Sequence, residues 1–69
     1  LHITFDKKED GFTRCTELFV KYGAKSRLIT QQKELDTITL SWEIHASEKQ
    51  LESLSKALLL ESFFSKIEL

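Results

Sequence analysis

The chain has no proline and no methionine, only two glycines, and one cysteine and one tryptophan among its 69 residues. A single cysteine excludes an internal disulfide and any zinc or iron–sulfur site built from several thiolates. Charge of one sign is also missing. Ten Lys and Arg stand against eleven Asp and Glu, a formal net charge of -1, so the broad cationic field that drives non-specific binding to nucleic acid or anionic membrane is absent. The longest apolar run, Ala57-Leu58-Leu59-Leu60, falls far short of the ~20 residues of a membrane-spanning helix. No basic stretch leads into an apolar core as in a signal peptide, and no Pro/Gly/Ser-rich linker or low-complexity tract marks an internal boundary.

What remains is the composition of a folding chain. Hydrophobic residues make up 41 % and charged residues 30 %, too apolar for intrinsic disorder. The length allows one small domain, residues 1–69, without room for a large enclosed active site. Both ends fall inside strand-like patterns with no initiator methionine, and the expectation is a fragment of a larger protein.

Leu1, Ile3 and Phe5 alternate with His2, Thr4 and Asp6, a period of two that turns one face of a strand inward. Asp10 is placed to cap a helix, in which Phe12, Cys15, Leu18, Phe19 and Tyr22 recur at steps of three and four along one side. Gly23 then stands where a left-handed terminus favours glycine. Lys25 to Gln32 reads as a second strand, although adjacent Leu28 and Ile29 must point to opposite faces. A turn over Lys33-Glu34-Leu35-Asp36 leads to the strongest strand signal: Ile38, Leu40, Trp42, Ile44 and Ala46 inward, Thr37, Thr39, Ser41, Glu43 and His45 outward. Ser47 and Gln50 form a capping box for a helix with Leu51, Leu54, Ala57 and Leu58 inward. In the last strand Phe63, Ser65, Ile67 and Leu69 read as inward and Phe64, Lys66 and Glu68 as outward.

The order is β-α-β-β-α-β. It predicts an α+β, ferredoxin-like two-layer sandwich: a four-stranded antiparallel sheet with both helices on one face.

That fold serves many activities, so function rests on sites. Cys15 lies on the inward side of its helix and reads as a buried structural thiol. Phe5 and Trp42 share the inward parity, which leaves the central strands no outward aromatics to stack bases, and RNA or other nucleic-acid binding is not expected. The loop from Asp6 to Gly11 holds three acids and no arginine, a poor phosphate cradle, and no nucleophile–base pair or carboxylate dyad is identifiable. A non-catalytic chain with no cofactor is the expectation. The one constellation is histidine. With Phe5 opposite Trp42, His2 would face His45 on the exposed sheet face, with Glu68 beside His2, a candidate metal or pH-sensitive site set against two solvated histidines. Phe64, read as outward, adds an apolar point to an open face suited to a protein partner or a second copy, through that face or the strand edges.

The segments Leu1-His2-Ile3-Thr4-Phe5, Cys15 to Ser26 with its Leu-Phe-Val-Lys-Tyr-Gly-Ala ending, Thr37 to His45 and Leu-Glu-Ser-Phe-Phe-Ser-Lys-Ile-Glu-Leu make the chain resemble an ACT-type domain. More narrowly, it is similar to the C-terminal cytoplasmic domain of MgtC/SapB-family membrane proteins. The resemblance spans essentially the whole chain but rests on patterns, with no catalytic motif. It implies a regulatory or interaction tail at the cytoplasmic side of the bacterial inner membrane, following a transmembrane bundle, in a family associated with magnesium limitation and virulence. Metabolic ACT domains instead bind amino acids, using an Asp-x-Pro-Gly-like turn after the first strand, and a ligand-sensing module controlling an enzyme is the alternative. Here the loop is Asp6-Lys7-Lys8-Glu9-Asp10-Gly11, longer, acidic and without the proline; only Asp6 and Gly11 occupy comparable ligand positions.

Overall fold

A computed structural model describes all residues from Leu1 to Leu69. Strand β1 (His2–Asp6), helix α1 (Gly11–Lys21), strands β2 (Lys25–Lys33) and β3 (Thr37–His45), helix α2 (Glu48–Leu60) and strand β4 (Phe64–Glu68) follow in the expected order. The four strands form one sheet in the order β2-β3-β1-β4, every neighbouring pair antiparallel. This is the ferredoxin-like arrangement, with the strands that open the two β-α-β halves at the centre.

The helix ends follow local chemistry. The Asp10 carboxylate accepts hydrogen bonds from Thr13 N at 3.1 Å and Thr13 Oγ1 at 2.8 Å, capping α1. At the other end Gly23 takes φ +72°; its N–H donates to Val20 O and that of Ala24 to Phe19 O, the paired bonds of a Schellman ending. In α2, Gln50 N donates to Ser47 Oγ at 3.1 Å and Ser47 N to Gln50 Oε1 at 2.8 Å, so the capping box is complete. Arg14 of α1 donates to Glu61 Oε2 at 2.8 Å, tying the first helix to the end of the second.

The core lies between sheet and helices. Ile3, Phe5, Leu40 and Trp42 come from the central strands; Cys15, Leu18, Phe19, Leu54 and Leu58 come from the helices, all buried. Trp42 meets Phe19 edge-on at 4.9 Å between ring centroids and Phe12 at 5.6 Å. Phe12 and Leu51, both expected inward, remain 48 % and 39 % exposed at the margins of the layer.

Three departures from the expected arrangement concern pairing. First, β1 meets β3 with Phe5 opposite Ile38 and His2 opposite Ser41, four positions from the register that sets Phe5 against Trp42. An even slip keeps every side chain on its face, and it lets Trp42 pack under Phe12 and Phe19 rather than against the Phe5 ring. Second, β2 bulges at Ile29, since Leu28 pairs with Trp42 and Thr30 with Ser41. The bulge resolves the Leu28-Ile29 adjacency: Leu28 is half-buried and Ile29 exposed. Third, Phe64 is buried at 8 %, not outward. Between Ile3↔Ile67, Thr4↔Lys66 and Phe5↔Phe64 the residue Ser65 is left over, and this extra residue inverts the parity of what precedes it. Ser65 is accordingly exposed, its hydroxyl donating to Thr4 O at 3.2 Å. Leu69, expected inward, is 83 % exposed.

Helix α1 begins hard against the sheet. A Cβ at Gly11 would fall onto the Phe5 ring, well inside van der Waals contact. Gly11→Ala is therefore expected to destabilise the fold by ~1–3 kcal/mol through overpacking. For a domain of this size each kcal/mol lowers Tm by roughly 4–8 °C; calorimetry giving an unchanged Tm would show that the ring yields freely.

Candidate functional site

The sheet face turned away from the helices is uncovered, and the observed register arranges its side chains in rows. Pairing across the sheet sets Thr30, Ser41, His2 and Glu68 in one row and Gln32, Thr39, Thr4 and Lys66 in the next. Together these eight residues line a shallow trough of about 500 Å³ with no hydrophobic side chain in it. Most of its polar groups have partners. The His2 imidazole shares a hydrogen bond with Ser41 Oγ at 2.6 Å, the Thr4 and Thr39 hydroxyls one at 2.8 Å, and Lys66 Nζ lies 3.3 Å from Glu68 Oε1.

One row beyond, Glu43 takes Arg27 Nη2 at 3.0 Å and His45 Nε2 at 2.9 Å. The hydrogen bond with His45, then that from Arg27 together with its charge, holds the Glu43 carboxyl below the usual range. The exposed cluster thus stays anionic at its centre to lower pH than a free glutamate. Its contribution to stability is present above the unfolded carboxyl pKa and is lost as pH falls through the folded one.

The expected histidine pair does not form. His2 stands opposite Ser41, whereas His45 lies four residues further along β3, opposite Lys25 of β2, a separation of roughly 13 Å along the strand. Glu68 is beside His2 as expected, yet its carboxylate is engaged by Lys66. No group of three or more His, Cys, Asp or Glu side chains is gathered anywhere for a metal ion.

The β1–α1 loop is a self-contained turn. Asp6 Oδ1 accepts from Lys8 N at 2.9 Å and the Asp6 carbonyl from Glu9 N at 2.9 Å. Gly11 is buried against Phe5, so the two positions comparable to a ligand-binding turn serve chain reversal and close packing. Phe64 belongs to the core, where it adjoins Phe63 at 5.2 Å between centroids.

Two features escape the sequence pattern. One is the His2–Ser41 pair: both are legibly outward, but nothing in a period of two says which outward residues meet. Chemically it is a hydroxyl against a base. Both residues lie on central strands whose backbone N–H groups are committed to neighbouring ladders, so the sheet presents no ready oxyanion donors around it. The other is an apolar crevice of about 290 Å³ where α2 meets the sheet, lined by Leu1, Ile44, Leu51, Leu54, Leu58 and Leu69 with Ser55.

Cys15 is fully buried. Burial pushes its thiol up to about 12, reinforced by the Glu61 carboxylate and opposed by the Trp42 indole N–H. The native thiol is protonated at neutral pH and is expected to react with a disulfide reagent at pH 8 only as fast as the protein opens. Rapid labelling of the folded chain would contradict that burial. Because the folded state keeps a proton that the unfolded chain releases near pH 9, the stability this thiol contributes below that value is lost progressively as pH rises towards about 12.

For the histidines the expectation is equally direct. In an NMR titration with zinc, His2 and His45 should respond separately and weakly; a shared, saturating change at one equivalent would show that the strands bring them together. Comparison with family models, with curated proteins and with solved structures yields no match, and no family membership follows from them.

Proposed function

We propose that this chain is a non-catalytic regulatory or interaction domain of ACT-like build, acting through contact with another protein. The observation that carries the reading is the uncovered sheet. Its trough is polar, nearly neutral and internally hydrogen-bonded, a surface that another polypeptide can cover without leaving many groups unpaired. A small domain of this kind also gains stability from any partner that buries more of it.

The reading extends to the parent protein. On the resemblance of its strand and helix segments, the domain would be the soluble tail of an MgtC-like membrane protein, at the cytoplasmic side of a bacterial inner membrane. Within the chain itself, no helix is long and apolar enough to cross a membrane.

The test is a variant that changes the face and nothing beneath it. Thr39→Glu with Thr4→Glu removes the hydroxyl pair and puts two like charges at the trough centre. Introduced into the gene that encodes this chain, it should leave thermal stability of the isolated domain within roughly 1 kcal/mol, the like-charge cost of a cross-strand pair, while abolishing the parent's function and its co-purifying proteins. Full function with the altered face would overturn contact through the trough. In parallel, thermal shift against the common amino acids should be flat. A rise of several degrees with one of them would replace the reading with ligand sensing.

A further inference from the structure

The least covered element is β2. Eight of its nine residues are exposed and only Leu28 is half-buried, because the strand occupies the sheet edge and its helix-facing positions Ser26, Gln31 and Lys33 are polar. Its sequence, Lys25-Ser26-Arg27-Leu28-Ile29-Thr30-Gln31-Gln32-Lys33, carries three cations and no acid in a chain whose net charge is -1. Arg27 has a partner in Glu43 at 3.0 Å; Lys25 and Lys33, near the two ends, make no ion pair.

The backbone of this edge can be assigned. Trp42 N donates to Leu1 O and the Leu1 amino group to Trp42 O, so Trp42 turns its peptide groups towards β1 and away from β2. In an antiparallel sheet this orientation alternates residue by residue. Thr30, Gln32 and Arg27, opposite Ser41, Thr39 and Glu43, bond to β3. Ser26, Leu28, Gln31 and Lys33, opposite Ile44, Trp42, Leu40 and Ile38, point their N–H and C=O groups outward, where no strand follows.

We propose that the outer edge of β2 is a docking strand for an extended, acidic polypeptide segment, which joins the sheet as a fifth strand. The inference rests on the reading of the domain as a protein-contact module and names the partner's chemistry. Lysines and a bulge are the usual means of keeping an edge strand from pairing with copies of itself. Two β2 strands side by side would bring six cations to one seam with no acid on either strand. Carboxylates reverse the sign of that contact: the charges that repel a second copy attract an acidic strand and set its orientation. The opposite edge lacks this character. Strand β4 has five residues, and its Lys66 and Glu68 neutralise each other at 3.3 Å. Ile29, exposed at the β2 bulge, supplies an apolar point that an added strand would cover. Backbone bonds give such docking its affinity and flanking side chains its selectivity.

The probe is a blocked peptide of the same length as β2, alternating valine and threonine with glutamate at both ends and the middle, alongside its lysine counterpart. Added to isotope-labelled protein, the acidic peptide should slow amide exchange at Ser26, Leu28, Gln31 and Lys33 by roughly tenfold when present at ten times its Kd. Binding should weaken several-fold between about 50 and about 300 mM salt as charges are screened. The K25E/K33E variant should lose the acidic peptide and gain the lysine one. Gln31→Pro removes an outward N–H without touching the ladder to β3; it should keep the native Trp42 emission and bind neither peptide. Equal binding of both peptides by the unaltered protein, or undiminished binding by K25E/K33E, overturns the inference. Changes confined to Thr4, Thr39 and Ser41 would overturn the edge assignment while leaving contact through the open face intact, and no binding of the acidic peptide up to about 1 mM, a free energy of about 4 kcal/mol, overturns it as well.

Discussion

Burial of the Trp42 indole between α1 and the sheet is the constraint on which the rest of the molecule depends. Edge-on contact with Phe19 and a tilted contact with Phe12 fix where the first helix crosses β3. The indole N–H faces the Cys15 sulfur but makes no hydrogen bond of full geometry, and a buried donor without one costs up to about 1–3 kcal/mol. Burying so large a ring, with its aromatic neighbours, offsets that cost. The space Trp42 needs also explains the strand register. Phe5 sits four positions from the tryptophan along β3, under the start of α1, where Gly11 leaves room for its ring.

That packing decides the chemistry of the opposite face. A slip of four residues changes no side chain's side, yet it decides that His2 meets Ser41 and leaves His45 beyond the end of β1, with only Lys25 of β2 opposite it. The uncovered surface is thereby a set of paired hydroxyls and small ion pairs, with no gathered ligand set. The two faces of β3 are two readings of one register: the inner one answers to volume, the outer one inherits whatever neighbours result.

Most of the architecture is legible in the amino-acid order because it depends on short-range signals. Asp10, Gly23 and the Ser47–Gln50 box act within one helical turn and end the helices where expected. Alternation in β1 and β3 places Phe5, Leu40 and Trp42 inside and Thr4, Thr39 and Ser41 outside. What alternation cannot convey is long-range: a period of two looks the same before and after an even slip, so the partner of His2 is invisible to it. Nor does it announce a bulge. At Ser65 one unpaired residue turns Phe64 from an outward position into the core, and at Ile29 another separates two apolar neighbours that a regular strand could not have accommodated together.

Strand β1 occupies the middle of the sheet but precedes every element that flanks it. It pairs with β3 and β4 and not with β2, the next strand in the chain, so its contacts are separated by much of the sequence. Such closures carry an entropic cost before any pairing repays it. During synthesis the β2–β3 hairpin can form early from neighbouring residues, while β1 waits with both backbone edges unpaired until β3 has emerged, and its second edge stays open until Phe64 to Glu68 have left the ribosome. The interval in which those edges lack partners is when this chain is most exposed to misassociation.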